Sequence, residues 1–135
     1  MSRKKFKLGT FFFYFMVLLY VGLGILHLIS PESYLPAMAT WLPEPILLIY
    51  VSGVAEIILG LLLIPRSTRP AAAWLIIAML VVYLFVIHIP MAIDYADEPT
   101  WKFIATLLRI PLQFVLIRWA WLYTRPRKKS TPASA

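Results

Sequence analysis

Glu56 interrupts an apolar run over residues 46–64, Arg109 interrupts another, and His27 and His88 stand in two more. A charge near the middle of a bilayer costs at least about 2.5 to 3.5 kcal/mol on insertion scales, so such residues face a protein interior, find a partner and mark function. Glu56 and Arg109 have opposite signs and are expected to pair. That pair belongs either to a ligand site or to a buried contact that only fixes helix register. On a helix, Tyr20, Gly24 and His27 share a face, as do Thr106, Arg109 and Gln113. The candidate pocket residues are therefore His27, Glu56, His88, Arg109, Gln113 and Tyr20. Their chemistry is donation of hydrogen bonds to a ligand carbonyl, from Arg109 and the histidines, and holding or taking a proton, at Glu56.

Depth supports convergence. At about 1.5 Å per residue, Glu56 lies roughly 15 Å and Arg109 roughly 10 Å below the outer surface, with both histidines nearer the mouth. Pro90 and Pro111 each remove a backbone bond and free the carbonyls of Val86 and Leu107, for a kink or a polar ligand. Around Glu56, the residues Ser52, Gly53 and Gly60 fall within one arc of small side chains, which lets helix backbones approach closely in a membrane. Glu56 is thus expected to face a neighbouring helix. Arg118, nine residues beyond Arg109, points the opposite way and reaches toward water.

The elements that must position these groups follow from composition. The 135 residues are 61% hydrophobic and 14% charged, against about 45 to 50% apolar in soluble domains. Mean hydropathy is +0.82. Four continuous apolar stretches, 10–29, 46–64, 71–93 and 102–123, are long enough to cross a hydrocarbon core of about 30 Å. They lack the alternation of barrel strands, so the expected fold is all-α, an integral membrane four-helix transmembrane bundle. Residues 1–9 form a basic N-terminal segment and 124–135 a basic tail expected to lack fixed structure. The first stretch is longer than the 7 to 15 residues of a signal-peptide core, and is read as an uncleaved helix. The loop at 30–45, apolar and proline-containing, is expected to lie along the outer surface.

Charges sort by side. Arg3, Lys4, Lys5, Lys7, Arg66, Arg69, Arg125, Arg127, Lys128 and Lys129 flank one face, while Glu32, Glu44, Asp94, Asp97 and Glu98 fall on the other with Lys102. The positive-inside rule makes the basic face cytoplasmic, with both termini inside. The net charge of +7 then reflects orientation and attraction to anionic lipid, and nucleic acid is not an expected partner. Trp41 and Trp101 at one interface, and Trp74, Trp119, Trp121 and Tyr123 at the other, read as anchors. There is no cysteine, which excludes thiol exchange and thiolate-bound iron-sulfur clusters. No phosphate loop, nucleophile elbow or dinucleotide fingerprint is present, and two histidines with one glutamate match no compact metal motif.

The segment YVSGVAEIILGLLLIPRSTRPAAA at 50–73, with GILHLISPESYLPAMATWLPEP at 24–45 and HIPMA at 88–92, resembles the DoxX family of small four-helix bacterial membrane proteins. The likeness spans about 10–123; its most specific parts are SGVAE with the turn of Pro65, Arg66 and Arg69, and HLISPESYLP. The family takes its name from subunits of a thiosulfate to quinone oxidoreductase. The resemblance therefore implies a bacterial inner-membrane accessory role beside a membrane or soluble oxidoreductase, with a quinone as the expected cofactor and none bound covalently. A non-catalytic subunit or binding protein fits better than a stand-alone enzyme. Partners would be the bilayer, the oxidoreductase and, as an option, a second copy of the chain. Transport of a proton or small solute, and a scaffold without chemistry of its own, are the alternatives.

Overall fold

A computed structural model describes residues 2–97 and 101–126. Glu98, Arg127, Lys128, Lys129 and most of the expected basic tail lie outside the described residues. The chain forms helix α1 (Ser2–Ile29), a 3-10 turn (Pro31–Ala37), α2 (Pro45–Leu62), α3 (Arg69–Tyr83), a π-helical turn (Leu84–His88), α4 (Ile89–Asp94) and α5 (Trp101–Trp121). No strand occurs among the described residues. Four spans are long and apolar enough to cross a membrane: Lys7–Ile29, Pro45–Leu62, Arg69–Asp94 and Trp101–Trp121. The third joins α3, the π turn and α4. The protein is an all-α, multi-pass membrane bundle, and each expected helix boundary lies within a few residues of the observed one except at the start of α1. There the helix runs back to Ser2, because nothing in Arg3 to Gly9 stops it: the segment holds no proline, and lysine and arginine are good helix formers.

Neighbouring helices run antiparallel, and α1 on α2 and α3 on α5 are the closest pairs. The first pair meets through Gly24 and Gly53. A Cβ on Gly24 would sit 2.5 Å from the Gly53 carbonyl oxygen, and one on Gly53 would sit 2.7 Å from the Cβ of His27, so no larger residue fits without moving a helix. The small arc expected on α2 does bring the backbones together. Its consequence is to press the faces that carry His27 and Glu56 against each other.

The end of the bundle that holds the start of α1 is densely packed. Phe13, Met16, Val17, Leu59, Leu63, Ala72, Ala73, Ile76, Leu80 and Ala120 form its core with Tyr20 at the upper edge. Arg69 locks this end: its guanidinium donates to the Leu63 and Ile64 carbonyls, each at 2.8 Å, and covers the Phe13 ring at 4.2 Å. Thr68 Oγ1 adds a bond to the Leu62 carbonyl at 2.7 Å, so the last carbonyls of α2 are met by side chains from the following turn. Trp74 and Trp121 meet edge to face at 5.1 Å at the same end.

Opposite this core the backbone is less regular. Pro90 cannot donate to the carbonyl four residues back, and the turn before it widens, so that the Ile89 amide bonds the Leu84 carbonyl five residues earlier. The expected disturbance at Pro90 is therefore a π turn. Glu44 caps α2 in the left-handed region, with φ 46° and ψ 58°, and makes no side-chain capping bond.

Candidate functional site

Between the two close helix pairs lies a cavity of about 690 Å³. All six expected residues line it: Tyr20 and His27 from α1, Glu56 from α2, His88 from the π turn, and Arg109 and Gln113 from α5. Most of the remaining wall is aliphatic. Across the mouth runs the segment after α1, contributing Ser33, Tyr34, Ala37, Met38 and Leu42. The loop expected to lie along the outer surface thus folds over the cavity as part of its lining.

Glu56 is buried, 4% exposed, and occupies the floor. Tyr83 donates its hydroxyl to Oε1 at 3.1 Å, and His27 Nδ1 lies 3.2 Å from Oε2. The same Nδ1 is 2.8 Å from the Leu23 carbonyl. Both neighbours are acceptors, so the proton must sit on Nδ1, and it is aimed at the nearer Leu23 oxygen. Glu56 Oε2 is left with a close charge partner and no aligned donor. The Tyr34 ring stacks on the His27 imidazole with centroids 4.0 Å apart and planes at 22°, fixing it from the mouth side. Partial burial pushes the Tyr34 phenol above its ordinary pKa; the charge of Glu56 adds to this and that of Arg109 opposes it. Both charges therefore act on the covering segment.

The expected pairing of Glu56 with Arg109 does not form. Among the described residues the basic side chain beside Glu56 is His27, an ion pair when its imidazole is protonated, and Arg109 has neither a carboxylate within 4 Å nor a hydrogen-bond acceptor. The reason is the order of the helices: α2 packs on α1 and α5 on α3, which leaves Glu56 and Arg109 on different walls. Similar depth brought them to one cavity without bringing them into contact.

Gln113 is buried and donates to the Leu80 carbonyl at 2.6 Å, tying α5 to α3 just before the helix widens. Thr106, on the same helix, is buried and bonds its own backbone at Lys102. Three buried polar atoms on the cavity lining lack a hydrogen-bond partner: Tyr20 Oη, Glu56 Oε2 and His88 Nδ1. Each such atom left unmet in a dry interior costs about 1 to 3 kcal/mol, so water or a ligand head group is what this lining requires.

A family model covers residues 16–124, from Met16 in the packed core to Thr124 beyond α5. The chain belongs to the family described as a domain of unknown function, DUF8561. No curated protein and no solved structure matches it. The matched DUF8561 region contains every residue of the cavity, so the site is part of the domain and not of its flanks. Tyr83 and Tyr34 belong to the site without being among the six expected residues. The signal for Tyr83 was depth: it stands as far before Asp94 as Glu56 stands after Pro45, roughly 16 Å of helix in each case. Among the described residues no group of three histidines or carboxylates is placed to hold a metal ion.

Proposed function

We propose that the protein is a membrane subunit or binding protein whose cavity holds a small amphipathic molecule dissolved in the bilayer, a quinone-like head on an apolar chain being the expected kind. The observation that carries this reading is the combination of a 690 Å³ aliphatic chamber with unmet polar atoms on its lining. Ligand sites of about 300 to 1,000 Å³ are commonly apolar with a few placed polar groups. A quinone-like head fits the donors present. Tyr20 is 3% exposed and its hydroxyl lacks a partner, as does Nδ1 of His88. Bound there, a quinone would supply two-electron redox chemistry. The chain's own part is to donate hydrogen bonds from Tyr20, His88 and Arg109, to hold a proton near Glu56 within reach of Tyr83, and to exclude water behind the packed core.

The likeness of residues 24–45 and 50–73 to the DoxX family supports an accessory role beside an oxidoreductase in a bacterial inner membrane. The sorted charges support both termini on the cytoplasmic side. A cysteine placed at Ser33 should then react with an impermeant reagent from outside the cell. Labelling at Ser67, with Ser33 protected, would reverse the orientation.

The direct test of the site is mass spectrometry of the detergent-purified protein for retained quinone or lipid, together with binding of a quinone analogue to wild type, His27→Ala and His88→Ala. His88→Ala should lower the melting temperature only slightly, because Nδ1 of the ring makes no protein bond and the side chain is only partly buried, and should weaken binding. Unchanged binding in both variants, or none in wild type, would remove the quinone reading.

A further inference from the structure

Arg109 is a guanidinium inside a membrane span, on the wall of a cavity, with no protein acceptor among the described residues. Its neighbours explain why no described residue answers it. Glu56 already has Tyr83 and His27 within 3.2 Å. Gln113, one turn further along α5, spends its amide on the Leu80 carbonyl. His88 faces the cavity as a second unfilled nitrogen. A guanidinium carries five donors in a rigid fork, cannot lose its proton, and matches the two oxygens of a carboxylate or phosphate. At membrane depth an uncompensated cation is expensive, so an anion is the occupant that stabilises it most.

The wall opposite Arg109 is open in a particular direction. Val51 on α2 and Val82 on α3 both line the cavity and are 57% and 54% exposed. These two accessible aliphatic side chains mark the gap between α2 and α3 as the way out toward lipid. A chain leaving there would continue into the bilayer.

Resting on the cavity being the ligand site, we propose that its ligand is a single-chain amphiphile with an acidic head group, the anion held by Arg109 beside His88 and the chain leaving between α2 and α3. The anion stays on the α5 side, away from the carboxylate of Glu56.

The test uses the full chain in nanodiscs of neutral phosphatidylcholine, with radiolabelled oleate, lysophosphatidate and oleyl alcohol as probes and a quinone analogue as competitor. One or both acids should bind at least about tenfold tighter than the alcohol, the gain expected of a charge-assisted pair over a neutral contact. A preference between the two acids assigns the head to carboxylate or phosphate. Arg109→Gln should remove the difference between acid and alcohol, and Arg109→Lys should keep part of it, which separates loss of charge from loss of fold. Val51→Trp should slow binding of all three chains. Equal binding of acid and alcohol, or wild-type affinity for both acids in Arg109→Gln, overturns the proposal. If the quinone analogue binds and neither acid competes with it, the acidic head is wrong and the cavity reading stands; if no probe binds, both fall.

Discussion

The two ends of this bundle are built from the same four spans and differ in what fills the space between them. At the end that holds Phe13, Leu63 and Ala73, alanines on α3 and α5 let the helices close on one another, and Arg69 ties three of them together. At the other end, the π turn before Pro90 and the covering segment at Pro31–Ala37 border a chamber, and the polar residues gather there. Stability and function are thus separated along the bundle axis. One end can be dense because it has nothing to admit. The other tolerates unmet polar atoms and a widened helix because something else completes it.

The comparison breaks most readily under one change of size made at both ends. Ala73 is fully buried, and Ala73→Leu should destabilise by about 1 to 3 kcal/mol through overpacking. Ala55 lines the cavity, and Ala55→Leu should change stability by less than about 0.5 kcal/mol because the added carbons enter empty space. Thermal melts in detergent measure both. Equal losses would mean that the chamber is not open, and the contrast between the ends would be lost.

A second way to sharpen it concerns which contacts hold the floor. In a double-mutant cycle, Glu56→Gln with Tyr83→Phe should show coupling of about 1 kcal/mol or more, since their side chains are bonded at 3.1 Å. Glu56→Gln with Arg109→Gln should be additive within about 0.5 kcal/mol, as expected of groups on separate walls. Strong coupling in the second cycle would restore the direct pair that the sequence suggested.

That reversal marks the limit of what residue order reveals. Hydropathy length placed all four spans, and helical periodicity put Tyr20, Gly24 and His27 on the face that meets Gly53 and Glu56, because both depend only on residues within one helix. The six expected site residues all line one cavity although they stand at different depths, Tyr20 and His27 about 10 Å apart along α1. Contact between helices is another matter. Depth along α2 and α5 says nothing of which helix stands between them, so His27 could not be preferred over Arg109 as the partner of Glu56. His88 reaches the cavity from within the π turn, whose extra residue rotates everything beyond it by about 100° relative to a regular wheel. Tyr83 and Tyr34 join the site through a hydroxyl bond to Glu56 and a ring stacked on His27, contacts between elements that residue order does not carry.

The boundary between the two ends rests on Gln113. Its bond to the Leu80 carbonyl is short and buried, and it joins α5 to α3 at the last regular turn before the helix widens. Gln113→Leu should cost about 1 kcal/mol, a typical net hydrogen bond, because the Leu80 carbonyl keeps the Leu84 amide as a partner. Amide hydrogen exchange should rise at Leu84 to His88 while remaining unchanged at Ala72 to Ile76. Faster exchange throughout α3 would show that the packed end depends on this bond and is not independent of the open one.

A small gain in stability is expected at Glu44, where the segment covering the cavity hands over to α2. A left-handed conformation at a residue with a Cβ costs roughly 1 kcal/mol or more, and Glu44 earns no capping bond there in return. Glycine adopts this conformation without the steric penalty but loses more backbone entropy on folding, so the two terms partly cancel. Glu44→Gly should therefore raise stability by about 0.5 kcal/mol, seen as a small upward shift in melting temperature. If the backbone geometry at Glu44 serves only to place the covering segment, ligand affinity should be unchanged, since glycine holds the same geometry. A drop in melting temperature would mean that the Glu44 carboxylate contributes to the first turn of α2 after all, through its charge at the positive end of the helix dipole.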